Sequence, residues 1–238
     1  MSARRDQLVL GAAAAALLIG IVGFAASGGV QEAPPTPTPA PTPAFQREQQ
    51  LFGGDLAPGV RYSARVFTPA VSFEVGDGDW TARDTSDDDY LLLERRAPGR
   101  QAGGEYPGRS WLVFTRLPFV YDPRSGEAIS TPRDLYRWTR RHPDLVVGPR
   151  SREVEGEWFS TRVRFGRPAV FAPECILPGV PCTAVAPNRS LPRGARLRTF
   201  VPGFSSGPLV IDVMGASRRD LDAVEAPAAD VLRSLRIG

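Results

Sequence analysis

The residues from Leu8 to Ala26, LVLGAAAAALLIGIVGFAA, form a run of nineteen with neither a charge nor a proline, preceded by Arg4 and Arg5. At about 1.5 Å per residue, a helix over this run is roughly 28 Å long, close to the hydrocarbon thickness of a bilayer. Nine of its residues are Leu, Ile, Val or Phe, each favouring insertion by about 0.3–0.6 kcal/mol, whereas its alanines and glycines add little. The arginine pair keeps the N-terminus in the cytoplasm, so the chain after the run emerges outside. The expectation is a cytoplasmic tail over 1–7 and a transmembrane signal anchor over 8–26. Such a run exceeds the roughly 7–15 apolar residues of a cleaved signal, although the small residues of GFAASGG leave cleavage open as the alternative. No cysteine lies near residue 26 to carry a lipid.

Between residues 27 and 50 the composition changes to SGGVQEAPPTPTPAPTPAFQREQQ, with six prolines between Pro34 and Pro43. Proline at alternate positions removes hydrogen-bond donors and fixes φ, which predicts a polyproline II spacer rising about 3.1 Å per residue. The folded domain is expected over 51–238, extracytoplasmic and of a size that suits a single hydrophobic core.

The inventory of reactive groups excludes several chemistries. All 29 basic residues are arginine, a pattern typical of a GC-rich bacterial genome. Without lysine there is no phosphate-cradling Walker loop, Schiff base or Ser-Lys dyad. One histidine, His142, and two cysteines, Cys175 and Cys182, are too few for a usual structural zinc site. No metal and no cofactor is expected. The net charge of +3 is small for nucleic-acid binding, which normally shows a concentrated basic excess interleaved with stacking aromatics.

Short β-rich stretches, VRYSARVF from Val60, AVSFEV from Ala70, DYLLLER from Asp89 and WLVFTRL from Trp111, predict an antiparallel meander, with GDGD at 76–79 as a turn. STPRDLYRWTRRH at 130–142 predicts a helix with Thr131 as N-cap, Pro132 at its first position and Asp134 closing a capping box. Leu135, Trp138, Thr139 and His142 would share one face, and Arg133, Arg137, Arg140 and Arg141 another. SREVE and EWFSTRVRF flank Gly156 as a hairpin, and residues 166–194 read as a long irregular segment. ARLRTFV and PLVIDVM form a last strand pair, and Leu221, Val224, Ala228, Val231, Leu232 and Leu235 mark a terminal helix whose main portion would start at Pro227. The fold class expected is α+β, an antiparallel sheet with a central and a C-terminal helix packed on it.

The order of these elements, with SFEVGDGDW near the start, the hairpin at Gly156 and a closing strand followed by AADVLRSLRIG, resembles the PsbP-like family and the small actinobacterial envelope lipoproteins related to it. The resemblance spans most of residues 57–238 and implies a binding, assembly or accessory protein in preference to an enzyme.

Four constellations carry possible chemistry. GFSSG at 203–207 matches the nucleophile-elbow pattern with Ser205 at the nucleophile position. That elbow requires a strand before the serine and a helix after it, whereas prolines flank this one and a strand follows, so a hairpin turn is expected. His142 with Asp144 could be a base and its orienter, but an imidazole ending a helix before Pro143 is expected to interact with the last carbonyls. DGDWTARDTSDDD at 77–89 carries six aspartates without the glycine and terminal glutamate of an EF-hand, and is expected to be a solvated loop paired to arginines beside a core Trp80. Arg133, Arg137, Arg140, Arg141, Arg150 and Arg152 form the densest basic region, and their planar forks suit carboxylate or phosphate. Outside the membrane, Cys175 and Cys182 are expected to form a disulfide.

The function expected is that of a membrane-anchored, extracytoplasmic binding or accessory domain, with the membrane and an anionic envelope component or acidic protein as partners, and no enzyme. The rival readings are an envelope hydrolase working through an acid pair with no sequence signature, and a secreted carrier released by signal cleavage.

Overall fold

The structure, a computed structural model, describes residues 48–238 apart from 78, 85–88, 97–107, 154–155, 166–167, 169, 173–174, 177–179 and 204–208, and omits the side chains of Asp84, Glu153 and Phe171. The expected anchor over 8–26, most of the tether and residues 204–207 of GFSSG, Ser205 among them, lie outside the described residues. Among those residues no helix is long and apolar enough to cross a membrane.

The fold is sheet-dominated, with two helices. In chain order the strands are β1 Gln49–Gln50, β2 Gly54–Asp55, β3 Arg61–Ala64, β4 Val71–Glu74, β5 Trp80–Asp84, β6 Tyr90–Arg96, β7 Arg109–Arg116, β8 Phe119–Tyr121 and β9 Ala128–Ser130. Helix α1, Leu135–Arg141, separates these from β10 Leu145–Glu153, β11 Gly156–Val163, β12 Phe171–Ala172, β13 Cys182–Ala186, β14 Arg189–Pro192, β15 Arg196–Pro202 and β16 Leu209–Gly215. Helix α2, Arg218–Ser234, and β17, Arg236–Ile237, close the chain. The main sheet has eight strands in the order β10-β11-β15-β16-β7-β6-β5-β2, with every neighbouring pair antiparallel. A smaller sheet, β1-β3-β4-β17, and the three-stranded β12-β13-β14 complete the larger pieces.

The two-residue period of a strand divides the core. Leu91, Leu93, Leu112, Phe114, Ile211 and Val213 point to one face of the main sheet, where they meet Phe73 of β4 and Leu221, Val224, Ala228 and Val231 of α2. The intervening Trp111, Val113 and Met214 point to the other face, packing with Val185 and Leu191 of the β13–β14 hairpin and with Trp138 of α1. Strand β16 is buried at every position, which is why PLVIDVM reads as continuous apolar sequence broken by a single Asp212.

Several expectations are corrected. The first half is not one meander: β3 and β4 pair with each other in the smaller sheet, β4 pairs onward with β17, and β5, next in the chain, belongs to the main sheet. The segment 166–194 is not irregular, since it holds β12 and the β13–β14 hairpin. All of β13 is buried and three of its five residues, Cys182, Ala184 and Ala186, are small, so its strand signal rests on Thr183 and Val185 alone. Gln49 and Gln50, counted with the tether, pair in parallel with Tyr62 and Ser63.

The helix starts differ as well. Thr131 spends its hydroxyl on the Leu117 carbonyl, and Asp134 caps α1, its Oδ1 accepting from the Arg137 N–H at 2.9 Å. Helix α2 begins at its own cap, Ser217, and runs unbroken through Pro227. Its buried stripe on both sides of the proline holds the two halves to the sheet and outweighs the backbone bond that proline removes.

Candidate functional site

Helix α1 is seven residues long, so its period places Leu135 and Thr139 in the core and turns Arg137, Arg140 and Arg141 to solvent. Between these sides stands Tyr136, whose hydroxyl donates to the Gly148 carbonyl at 3.1 Å and whose ring meets Phe159 edge-on at 5.4 Å. The strand β10 has an irregularity between Val147 and Arg150, and beyond it the Arg150 guanidinium lies 4.8 Å from the centre of the Tyr136 ring, with that of Arg140 at 5.8 Å. Tyr136 is thereby a fixed platform between two cations.

Around it opens a hollow of about 410 Å³ lined by Asp134, Tyr136, Arg137, Arg140, Arg141 and Arg150. Arg150 Nη1 lies 3.6 Å from Asp134 Oδ1 and 3.3 Å from Glu157 Oε2. Arg152 gives its Nε to Glu157 Oε1 at 2.8 Å. Arg137, Arg140 and Arg141 make no ion pair with a described residue, which leaves their forks open to an external anion. Of the six arginines singled out in the sequence, four thus line one hollow, Arg152 stands beside it through their shared partner Glu157, and Arg133 is exposed and does not line it.

The opposite kind of site lies under the β13–β14 hairpin. Arg189 gives Nε and Nη2 to the two oxygens of Asp212, each at 2.7 Å, and Thr199, paired opposite on β15, donates its hydroxyl to Asp212 Oδ1 at 2.7 Å. Arg189 and Asp212 are both buried. Next to them Arg193 Nη1 donates to Thr183 Oγ1 at 2.6 Å and lies 3.3 Å from Asp144 Oδ1. The ion pair forms one end of a cavity of about 480 Å³ on the second face of the main sheet.

No known family profile matches this chain, and no curated protein matches it. Among solved structures it is similar to cyanobacterial PsbP (CyanoP) from Synechocystis sp. PCC 6803, with 11% identity over 69% of this chain and 95% of that chain, and a TM-score of 0.26. This is a weak, fold-level likeness, and no site residue is carried over from it.

His142 ends α1 as its C-cap residue, but its imidazole does not donate to the helix carbonyls as expected. Its Nδ1 accepts from the Asp144 N–H at 3.2 Å, and Nε2 is buried without a partner. Burial lowers its pKa; the nearby Asp144 carboxylate opposes this, and Arg189 and Arg193 push further down. Inside the protein its ring lies edge-on to Trp138.

The acidic stretch behaves as a set of surface pairs over its described part: Asp77 and Asp79 meet Arg95 at 2.7 and 3.4 Å, and Asp89 meets Arg116 at 3.4 Å. Trp80 is fully buried. Cys175 and Cys182 are joined in a disulfide. Sequence reasoning passed over Asn188, Arg189 and Asp212. The signal available for Asp212 was a lone charge inside a strand that is otherwise apolar, because a charge there must be buried and therefore paired.

Proposed function

We propose that this chain is a membrane-anchored, extracytoplasmic binding protein and that the hollow around Tyr136 docks an acidic polymer of the bacterial envelope. The observation that supports this most is the gathering of Arg137, Arg140, Arg141 and Arg150 about one aromatic platform with a single carboxylate, Asp134, on the lining. Arginine forks bind phosphate or carboxylate oxygens in pairs, and the aromatic ring holds two of them in place. The proline-rich tether supports a polymer above lipid headgroups, since a polyproline II spacer carries a domain away from the bilayer. A hydrolase of the glycosidase type needs two carboxylates flanking the bond to be cut; each of the two cavities described has one, Asp134 or Asp212, and both are engaged by arginine.

The test uses the full chain in nanodiscs of neutral phosphatidylcholine, passed over immobilised poly(glycerol phosphate). Binding is expected at low ionic strength, weakening as salt screens the arginines, and absent in the Arg140→Ala/Arg141→Ala variant. Retention of that variant at wild-type strength, or no binding by the wild type, defeats the proposal. Attachment to phosphatidylglycerol vesicles without attachment to the polymer would transfer the site to lipid headgroups.

A further inference from the structure

The cavity of about 480 Å³ on the second face of the main sheet is of the size that encloses small organic ligands. Its floor is apolar: Leu92, Val113, Leu197 and Met214 come from four adjacent strands, β6, β7, β15 and β16, and Ile176 of the disulfide loop and Leu191 of β14 form walls. These apolar side chains favour an apolar body over water.

The other end is polar and incompletely satisfied. Asp212 occupies the Nε–Nη2 edge of the Arg189 guanidinium, and Nη1 makes no hydrogen bond to a described residue. Beside it on the lining is Asn188, whose amide nitrogen is committed to the Arg116 carbonyl at 2.8 Å and whose Oδ1 is turned into the protein, out of reach of a ligand. Arg189 can therefore give a hydrogen bond to a ligand in the cavity. The Arg189 charge is already matched by Asp212, so an ionised ligand would bring an unmatched charge into a buried place, which is strongly disfavoured.

We propose that this cavity binds a small neutral amphiphile consisting of an apolar body and an uncharged carbonyl head such as an amide, the carbonyl oxygen accepting from Arg189. The site is independent of the arginine hollow and of what docks there.

Met214 supplies a reporter, because the chain has only one other methionine, Met1. The full chain, labelled at methionine methyl carbons and held in phosphatidylcholine nanodiscs, is titrated with hexanamide and, separately, with ionised hexanoate at alkaline pH. The Met214 methyl resonance is expected to shift saturably with hexanamide and at least roughly tenfold more weakly with hexanoate, a difference of about 1.4 kcal/mol. Leu92→Trp, which fills the floor, should abolish the hexanamide shift while leaving the thermal midpoint close to that of the wild type. A Met214 methyl that hexanamide does not move overturns the proposal, as does equal affinity for the hexanoate ion. A shift undiminished in folded Leu92→Trp places the ligand elsewhere and overturns it too. If that variant fails to fold, the two wild-type titrations alone decide.

Discussion

The guanidinium of Arg189 and the carboxylate of Asp212 meet edge to edge, with two bonds of 2.7 Å, although neither side chain is more than about one-twentieth exposed. The pair ties the β13–β14 hairpin to the centre of the main sheet. Replacing Asp212 by Asn keeps the shape and removes the charge, leaving a buried cation without its counter-ion. Asp212→Asn is therefore expected to lose about 3–5 kcal/mol of unfolding free energy, measured by urea denaturation. A loss under about 1 kcal/mol would mean that the pair does not hold the two layers together.

His142 makes stability fall in mildly acidic solution. Its folded pKa lies below the ordinary value of about 6.5 because the ring is buried, with Asp144 opposing and Arg189 and Arg193 reinforcing the shift. As pH falls through about 6.5, the unfolded chain takes up a proton that the folded chain refuses, so stability declines from there until the lower folded value is passed. The denaturation midpoint of the wild type should drop between neutral pH and pH about 5, and that of His142→Asn should drop less over the same interval. Parallel curves for the two proteins would contradict this.

Gly215 ends β16 where α2 begins to pack. A Cβ there would stand 2.2 Å from the backbone nitrogen of Leu221 and 2.7 Å from its Cα, and a helix backbone cannot yield as a flexible side chain does. Gly215→Ala should cost about 1–3 kcal/mol through overpacking. Calorimetry showing an unchanged midpoint would refute the close approach.

The disulfide closes a seven-residue separation, which limits how far it can restrict the unfolded chain. Loop-closure entropy for so short a loop corresponds to about 2.5 kcal/mol. Reduction should lower the thermal midpoint by several degrees while circular dichroism at moderate temperature stays the same. Loss of the fold on reduction would show that the loop does more than constrain.

What could be read from the sequence follows from periodicity. The helical stripe of α2 is a strong pattern, and the continuous apolar runs LLL of β6 and WLVF of β7 mark strands buried on both faces, so these elements are legible close to where they lie. The inward Leu135 and Thr139 face of α1 is legible in its sequence, whereas its cap is not, because Thr131 and Asp134 are both suitable by type and only the tertiary bond to Leu117 separates them. The β13–β14 hairpin gives only a weak signal, because β13 is buried at every position and Cys182, Ala184 and Ala186 make up most of it. The arginine hollow was partly legible, since Arg137, Arg140 and Arg141 are neighbours in sequence, but their gathering with Arg150 depends on the bulge in β10 and on Tyr136. The Arg189–Asp212 pair joins positions 23 apart, and only the layering of the fold brings them together.

Strand β16 carries cavity-lining Asp212 and Met214 on one side and Ile211 and Val213 under α2 on the other. Its amide hydrogens can reach water only when both covers have left, so their exchange is a gauge of whole-molecule opening. A molecule that occupies the cavity and is released on unfolding slows that exchange by the same factor along the entire strand, including hydrogens nearest the face it never touches. The strand therefore turns occupancy on one side of the sheet into a signal that deuterium labelling can read from the other.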